Sequence, residues 1–69
     1  MEREPVVSSN IASIGYDDVN CILEIEFVNG SVYIYFDVPE QVYRDFRASG
    51  SLGSFLNAQI RSRFRYQRA

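Results

Sequence analysis

The sequence predicts an α+β domain: a three-stranded antiparallel β-meander followed by two short helices packed on one face of the sheet. The first observation is the stretch CILEIEFVNGSVYIYFDVP, Cys21 to Pro39, in which two strand-like runs are joined by Asn29-Gly30 and lead directly into a helix start. An Asn-Gly pair flanked by β-branched and aromatic residues is the strongest short-range hairpin signal. The second is the change of apolar spacing after Pro39, from a two-residue period to a helical one. The third is length: 69 residues build one core and bury only about 60% of the surface the unfolded chain exposes.

Residues 1 to 7 are polar with Pro5 and are expected as a flexible lead-in to a single domain spanning 8 to 67. A first strand is predicted from Ser8 to Tyr16, with Ala12, Ile14 and Tyr16 on one face. Asp17-Asp18-Val19-Asn20 is a turn, because Asp and Asn bond their own backbone and tolerate left-handed geometry.

The second strand, Cys21 to Val28, sets Leu23, Ile25 and Phe27 against Glu24 and Glu26, one face for the core and one for water. The third, Ser31 to Phe36, is apolar on both faces, and two registers are open. A two-residue loop at Asn29-Gly30 sets Ile25 opposite Ile34 and leaves Tyr33 and Tyr35 facing solvent. A three-residue loop at Val28-Asn29-Gly30, with Gly30 left-handed, shifts the pairing by one and turns the tyrosines toward Leu23 and Ile25. The loop therefore decides which side chains the sheet exposes.

Asp37 followed three residues later by Glu40 predicts a capping box around Pro39, starting a helix over 39 to 48. Val38, Val42 and Phe46 mark its buried stripe, Tyr43 flanks it, and Gly50 is the expected left-handed stop. Ser51 caps a second helix running to Arg61, with Leu52, Phe55, Leu56 and Ile60 on one side; Gly53 weakens it by roughly 1 kcal/mol. The tail alternates Arg61, Arg63 and Arg65 with Ser62, Phe64 and Tyr66, a two-residue period that suits an extended segment.

Composition narrows the chemistry. Hydrophobic residues make up 46% and charged residues 23%, so the chain is expected to fold without a cofactor. With one cysteine and no histidine, neither an internal disulfide nor a common metal site is expected, and a reducing cytoplasm is the natural location. No signal peptide is expected, since Met1 to Asn10 carries acids beside its one arginine and no apolar run of about seven, and no stretch approaches the roughly 18 apolar residues of a membrane span. Without histidine the usual general base is missing, so the expectation is a non-enzymatic protein with no catalytic residues. Glu24 and Glu26, about 7 Å apart on one strand face, have the spacing of paired carboxylates, but such a pair is more often just the wet side of a strand, which is the expectation for this one.

The net charge of −2 is unevenly distributed. All nine acids lie in residues 1 to 45 beside two arginines, whereas residues 46 to 69 hold five arginines and no acid. Arginine grips phosphate bidentately and stacks on bases. Arg61, Arg63, Arg65 and Arg68 are therefore candidate phosphate contacts, with Tyr33, Tyr35 and Tyr66 as candidate stacking platforms worth roughly 1–3 kcal/mol per base. The bland alternative makes the tyrosines core with hydroxyls at the surface, and the arginines a solvated tail. A different class of function follows from Val32, Ile34 and Phe36, an apolar strip suited to a protein partner or a second copy of the chain, with the first or third strand as an open edge.

A family resemblance joins these features. Ser9, Ile11, Ile14-Gly15-Tyr16-Asp17, Phe27-x-Asn29-Gly30-x-Val32-Tyr33-x-Tyr35, Val38-Pro39, Val42-Tyr43, Gly53-x-Phe55-x-Asn57 and Phe64-x-Tyr66 together resemble the KTSC domain. That domain is named for the C-terminal domain of some lysyl-tRNA synthetases and also occurs as small free-standing proteins. Its central Tyr-x-Tyr is carried here by Tyr33 and Tyr35. The resemblance implies a possible accessory role on RNA of the tRNA kind. It also favours the three-residue loop, since similar chains often carry a charged residue where this one has Ile34.

Overall fold

The central hairpin closes through the three-residue loop. In a computed structural model describing residues 2–69, Phe27 N–H donates to Ser31 O at 2.8 Å and Gly30 N–H to Phe27 O at 2.9 Å, with Gly30 at φ 92°. Strands β3 (Ile22–Phe27) and β4 (Val32–Tyr35) consequently pair Ile25 with Tyr33 and Leu23 with Tyr35. The two-residue alternative is overturned, and the tyrosines turn inward. Glycine makes this possible, because the left-handed backbone costs it nothing.

The sheet has five strands rather than three. Strand β1 (Glu4–Pro5), strand β2 (Ile11–Asp17), β3, β4 and strand β5 (Tyr66–Arg68) lie in sequence order, each antiparallel to the next. A two-residue strand is too short to show periodicity, and the extended tail becomes a strand only by finding β4 beside it. Both strands proposed as open edges are paired on each side; the actual edges, β1 and β5, are only two and three residues long, which limits edge-to-edge pairing.

A bulge alters the predicted face of β2. Its register shifts between Ile11, opposite Phe27, and Ser13, opposite Glu26. Ile11, rather than Ala12, thereby joins Ile14 in the core. Ser13 Oγ donates to Glu26 Oε1 at 2.7 Å and Arg3 pairs with Glu24, so both strand carboxylates serve the sheet's own polar side. The turn after β2 forms as expected: Asp17 accepts from Val19 N–H at 3.0 Å and from Asn20 Nδ2 at 2.9 Å.

The N-cap position of helix α1 (Glu40–Ala48) is held by Pro39, not Asp37, and no side chain bonds the first amides there. Pro39 holds the preceding residue extended, so the helix starts too late for the Asp37 side chain to reach its first amides. Asp37 instead adopts φ 59°, next to a second left-handed residue, Cys21 at φ 56°, and Val38 N–H ties the two by donating to Cys21 O at 2.9 Å. At the other end, Gly50 is not left-handed. Ser49 closes the helix, with both its N–H and its Oγ donating to Phe46 O.

Helix α2 (Leu52–Phe55) is capped by Ser51, whose Oγ accepts from Ser54 N–H at 3.3 Å. It widens into a π-helical turn, Leu56–Ile60, closed by Arg61 N–H donating to Leu56 O at 2.9 Å. Val38, Phe46, Leu56 and Ile60 are buried against Ile11, Ile14, Leu23, Ile25 and Tyr35. Both helices thus cover one face of the sheet. Val32, Ile34 and Phe36 lie outside this core cluster, with Val32 and Ile34 opposite Glu26 and Glu24 on the uncovered face. No helix among the described residues is long and apolar enough to cross a membrane.

Candidate functional site

The register that turns Tyr33 inward also builds a cleft. Pairing of β4 with β5 sets Tyr66 opposite Tyr35 and Arg68 opposite Tyr33, so four side chains of two strands share the helix side of the sheet. Tyr66 lies 5.7 Å from Tyr33 and 5.6 Å from Tyr35 between ring centroids, and Phe27 meets Tyr33 edge-on at 5.6 Å. The helices do not reach over this corner. What remains is an aromatic-walled cleft of about 250 Å³, with Asn29 and Ser31 of the hairpin at one side and Asn57 and Arg61 of the π-helical turn at the other.

Asn57 and Arg61 are one turn apart, and Arg61 Nη1 donates to Asn57 Oδ1 at 3.0 Å, which holds the guanidinium at the cleft wall. A second depression, about 290 Å³, shares Phe27, Asn29, Asn57 and Arg61 and continues the groove past Gly53 to Asn10. At that end a Cβ on Gly53 would lie in van der Waals contact with Asn10 Nδ2, at 3.4 Å.

The predicted site residues divide. Tyr35 is 1% exposed and cannot stack on a ligand; its burial raises the phenol's pKa, an effect partly offset by the charge of Arg61. Tyr66 is 48% exposed and Tyr33 is half-buried on the cleft wall. The arginines are scattered. Arg61 lines the cleft, and Arg68 sits 6.0 Å from the Tyr33 centroid with its Nη2 on Ser31 Oγ at 3.2 Å. Arg63 instead packs over Phe64 at 5.4 Å and donates to Gln59 Oε1. Arg65 stacks over Phe36 at 4.9 Å, away from the cleft. The split follows from where each lies: Arg61 and Arg63 sit in the turn that follows the π-helical segment, Arg68 lies in β5, and Arg65, just before that strand and three positions from Arg68, falls on its opposite face.

Four cleft residues escaped the candidate set, Ser31 with no motif of its own and Phe27, Asn29 and Asn57 with one. The signal for the last three was present, because Phe27-x-Asn29-Gly30, Tyr33-x-Tyr35, Gly53-x-Phe55-x-Asn57 and Phe64-x-Tyr66 are all motifs of the family resemblance. Folding brings Asn29, Tyr33, Tyr35, Asn57 and Tyr66, separated by up to 37 positions, to a single cleft.

The chain is 40% identical to the crystal structure of a KTSC domain protein from Yersinia pestis, with a TM-score of 0.92 over 99% of this chain and 96% of that one. A protein of Tsukamurella paurometabola is 42% identical over 62 residues, 90% of this chain and 92% of its own length. A lysine–tRNA ligase of Nostoc punctiforme is 37% identical over 59 residues, covering 86% of this chain but only 10% of the ligase. The KTSC domain profile matches residues 7–64, and the chain belongs to the KTSC domain family.

Proposed function

We propose that the chain is a non-catalytic RNA-binding module of the reducing cytoplasm that takes a single-stranded segment into the aromatic cleft. The observation that carries this reading is the meeting of the Phe27, Tyr33 and Tyr66 rings with the Arg61 and Arg68 guanidiniums in and beside one cleft. Rings offer stacking to any base, and arginines offer charge-assisted hydrogen bonds to phosphate. The similar segment within a lysine–tRNA ligase supports the same reading. The chain's overall acidity keeps nonspecific attraction low, so contact depends on local geometry.

Titration of fluorescently labelled single-stranded RNA at low and moderate salt tests it. Binding at tens of micromolar that weakens with salt and with Arg61→Ala is expected; no binding at low salt removes the reading.

The open sheet face favours a second reading, self-association. Val32, Ile34 and Phe36 run between a row bearing Glu24 and Glu26 and a row bearing Arg65 and Gln67. A copy turned over about the β4 axis lays apolar strip on apolar strip and brings each acidic row toward the other's basic one. Sedimentation should then show a dimer that Ile34→Glu dissociates; a monomer at high concentration excludes it.

A further inference from the structure

The hydrogen-bonding groups of the cleft carry a polarity, and resting on the RNA-binding reading we infer that it selects bases bearing a keto oxygen, uracil and guanine, over those bearing an amino group at the same position. Two side-chain amides face the cleft, and the orientation of each is set by an obligate donor. Asn29 Oδ1 accepts Ser31 N–H at 3.0 Å, and Asn57 Oδ1 accepts Arg61 Nη1 at 3.0 Å. Neither a backbone N–H nor a guanidinium can accept, so each oxygen is turned toward its donor with one lone pair left over, and both amides keep their whole NH₂ for a ligand. Neither NH₂ has a partner among the described residues.

Arg61 adds further N–H groups, and no carboxylate lines the cleft. Its remaining polar groups, the hydroxyls of Ser31 and the tyrosines, rotate to donate or accept. Among the side-chain groups of fixed polarity, the free N–H hydrogens of the two amides and Arg61 therefore outnumber the single lone pair left on each amide oxygen. The volume, about 250 Å³, falls below the roughly 300–1,000 Å³ of pockets for drug-sized molecules and suits one planar base.

A base stacked there presents its edge to those donors. Uracil offers a carbonyl where cytosine offers an amino group, and hypoxanthine and guanine offer one where adenine offers an amino group. An amino group meeting the Asn57 NH₂ sets donor against donor and leaves both desolvated and unpaired. The phosphates on either side meet the same arginines whichever base is present, so affinity and selectivity separate.

Equilibrium titration of short labelled oligouridylate and oligocytidylate of equal length, followed by the oligoinosinate and oligoadenylate pair, tests the inference. The keto member of each pair is expected to bind about tenfold tighter. Equal affinities, or a preference for the amino bases, overturn the selectivity while leaving RNA binding intact. Binding of none of the four overturns both. In Asn57→Asp the carboxylate still partners Arg61 but offers only acceptors, and the uridylate-to-cytidylate ratio should fall to one or below. An unchanged ratio in that variant removes Asn57 as the reader. The ratio is insensitive to a uniform loss of affinity from the added negative charge.

Discussion

Tyr16 of β2 and Tyr43 of α1 stack face to face, with ring centroids 4.4 Å apart and planes within 7° of parallel. The pair ties the first helix to the sheet at the corner where Cys21 and Asp37 are both left-handed, and Tyr16 Oη donates to Val38 O at 2.6 Å just before the helix begins. One side chain thus links strand, corner and helix start.

Burial, followed by the nearby Cys21 thiol, pushes the Tyr16 phenol up to about 12. The unfolded value is near 10, so the folded state holds this proton more tightly; the resulting stability is fully present below about pH 10 and is lost as pH rises toward 12. Urea unfolding at neutral pH and at pH 11 should show a clear alkaline loss. Tyr16→Phe is expected to cost about 1–2 kcal/mol at neutral pH, by leaving the Val38 carbonyl without its donor, and to reduce the alkaline loss. An undiminished alkaline loss in the variant would assign the effect to other phenols, such as Tyr35.

Phe46 is fully buried and sits 5.7 Å from the Phe55 ring, joining the two helices above the sheet. Phe46→Ala should cost about 3–5 kcal/mol, comparable to the whole stability of a domain this small. Circular dichroism is expected to show a largely unfolded chain at 25 °C; a cooperative melt above 50 °C would contradict it.

Gly30→Ala isolates the backbone term. A Cβ there meets nothing within 4 Å, so its cost comes from the left-handed φ of 92° alone. About 1 kcal/mol of destabilisation is expected by denaturant titration, with RNA affinity per folded molecule unchanged.

Arg61→Ala and Arg65→Ala separate cleft from tail. Arg61 lines the cleft and Arg65 lies on Phe36 away from it, so only the first should weaken RNA binding, by several-fold, and lower the salt slope by about one. Both residues are exposed, and stability should move by less than about 0.5 kcal/mol in each. Equal losses of affinity would point to diffuse attraction by the tail.

Ser51 as a cap, the acidic alternation of β3 and the inward stripe of Phe46, Leu56 and Ile60 were all legible from residue spacing, because each depends on neighbours within one helical turn or one strand. The same is true of the α+β class and of the family. Two hairpin loops were compatible with one Asn-Gly pair, and only packing chose between them: the three-residue form buries Tyr35 beside Leu23, whereas the other would have put its ring in water. Asp37 shows the limit of a local signal, since an apt capping residue was displaced when Pro39 delayed the helix. Strands β1 and β5 were likewise decided by tertiary structure, as two or three residues pair only when a neighbouring edge is already in place. The cleft belongs to this second kind, because Asn29, Asn57 and Tyr66 meet through strand register and helix docking, long-range contacts that no periodicity along the chain encodes.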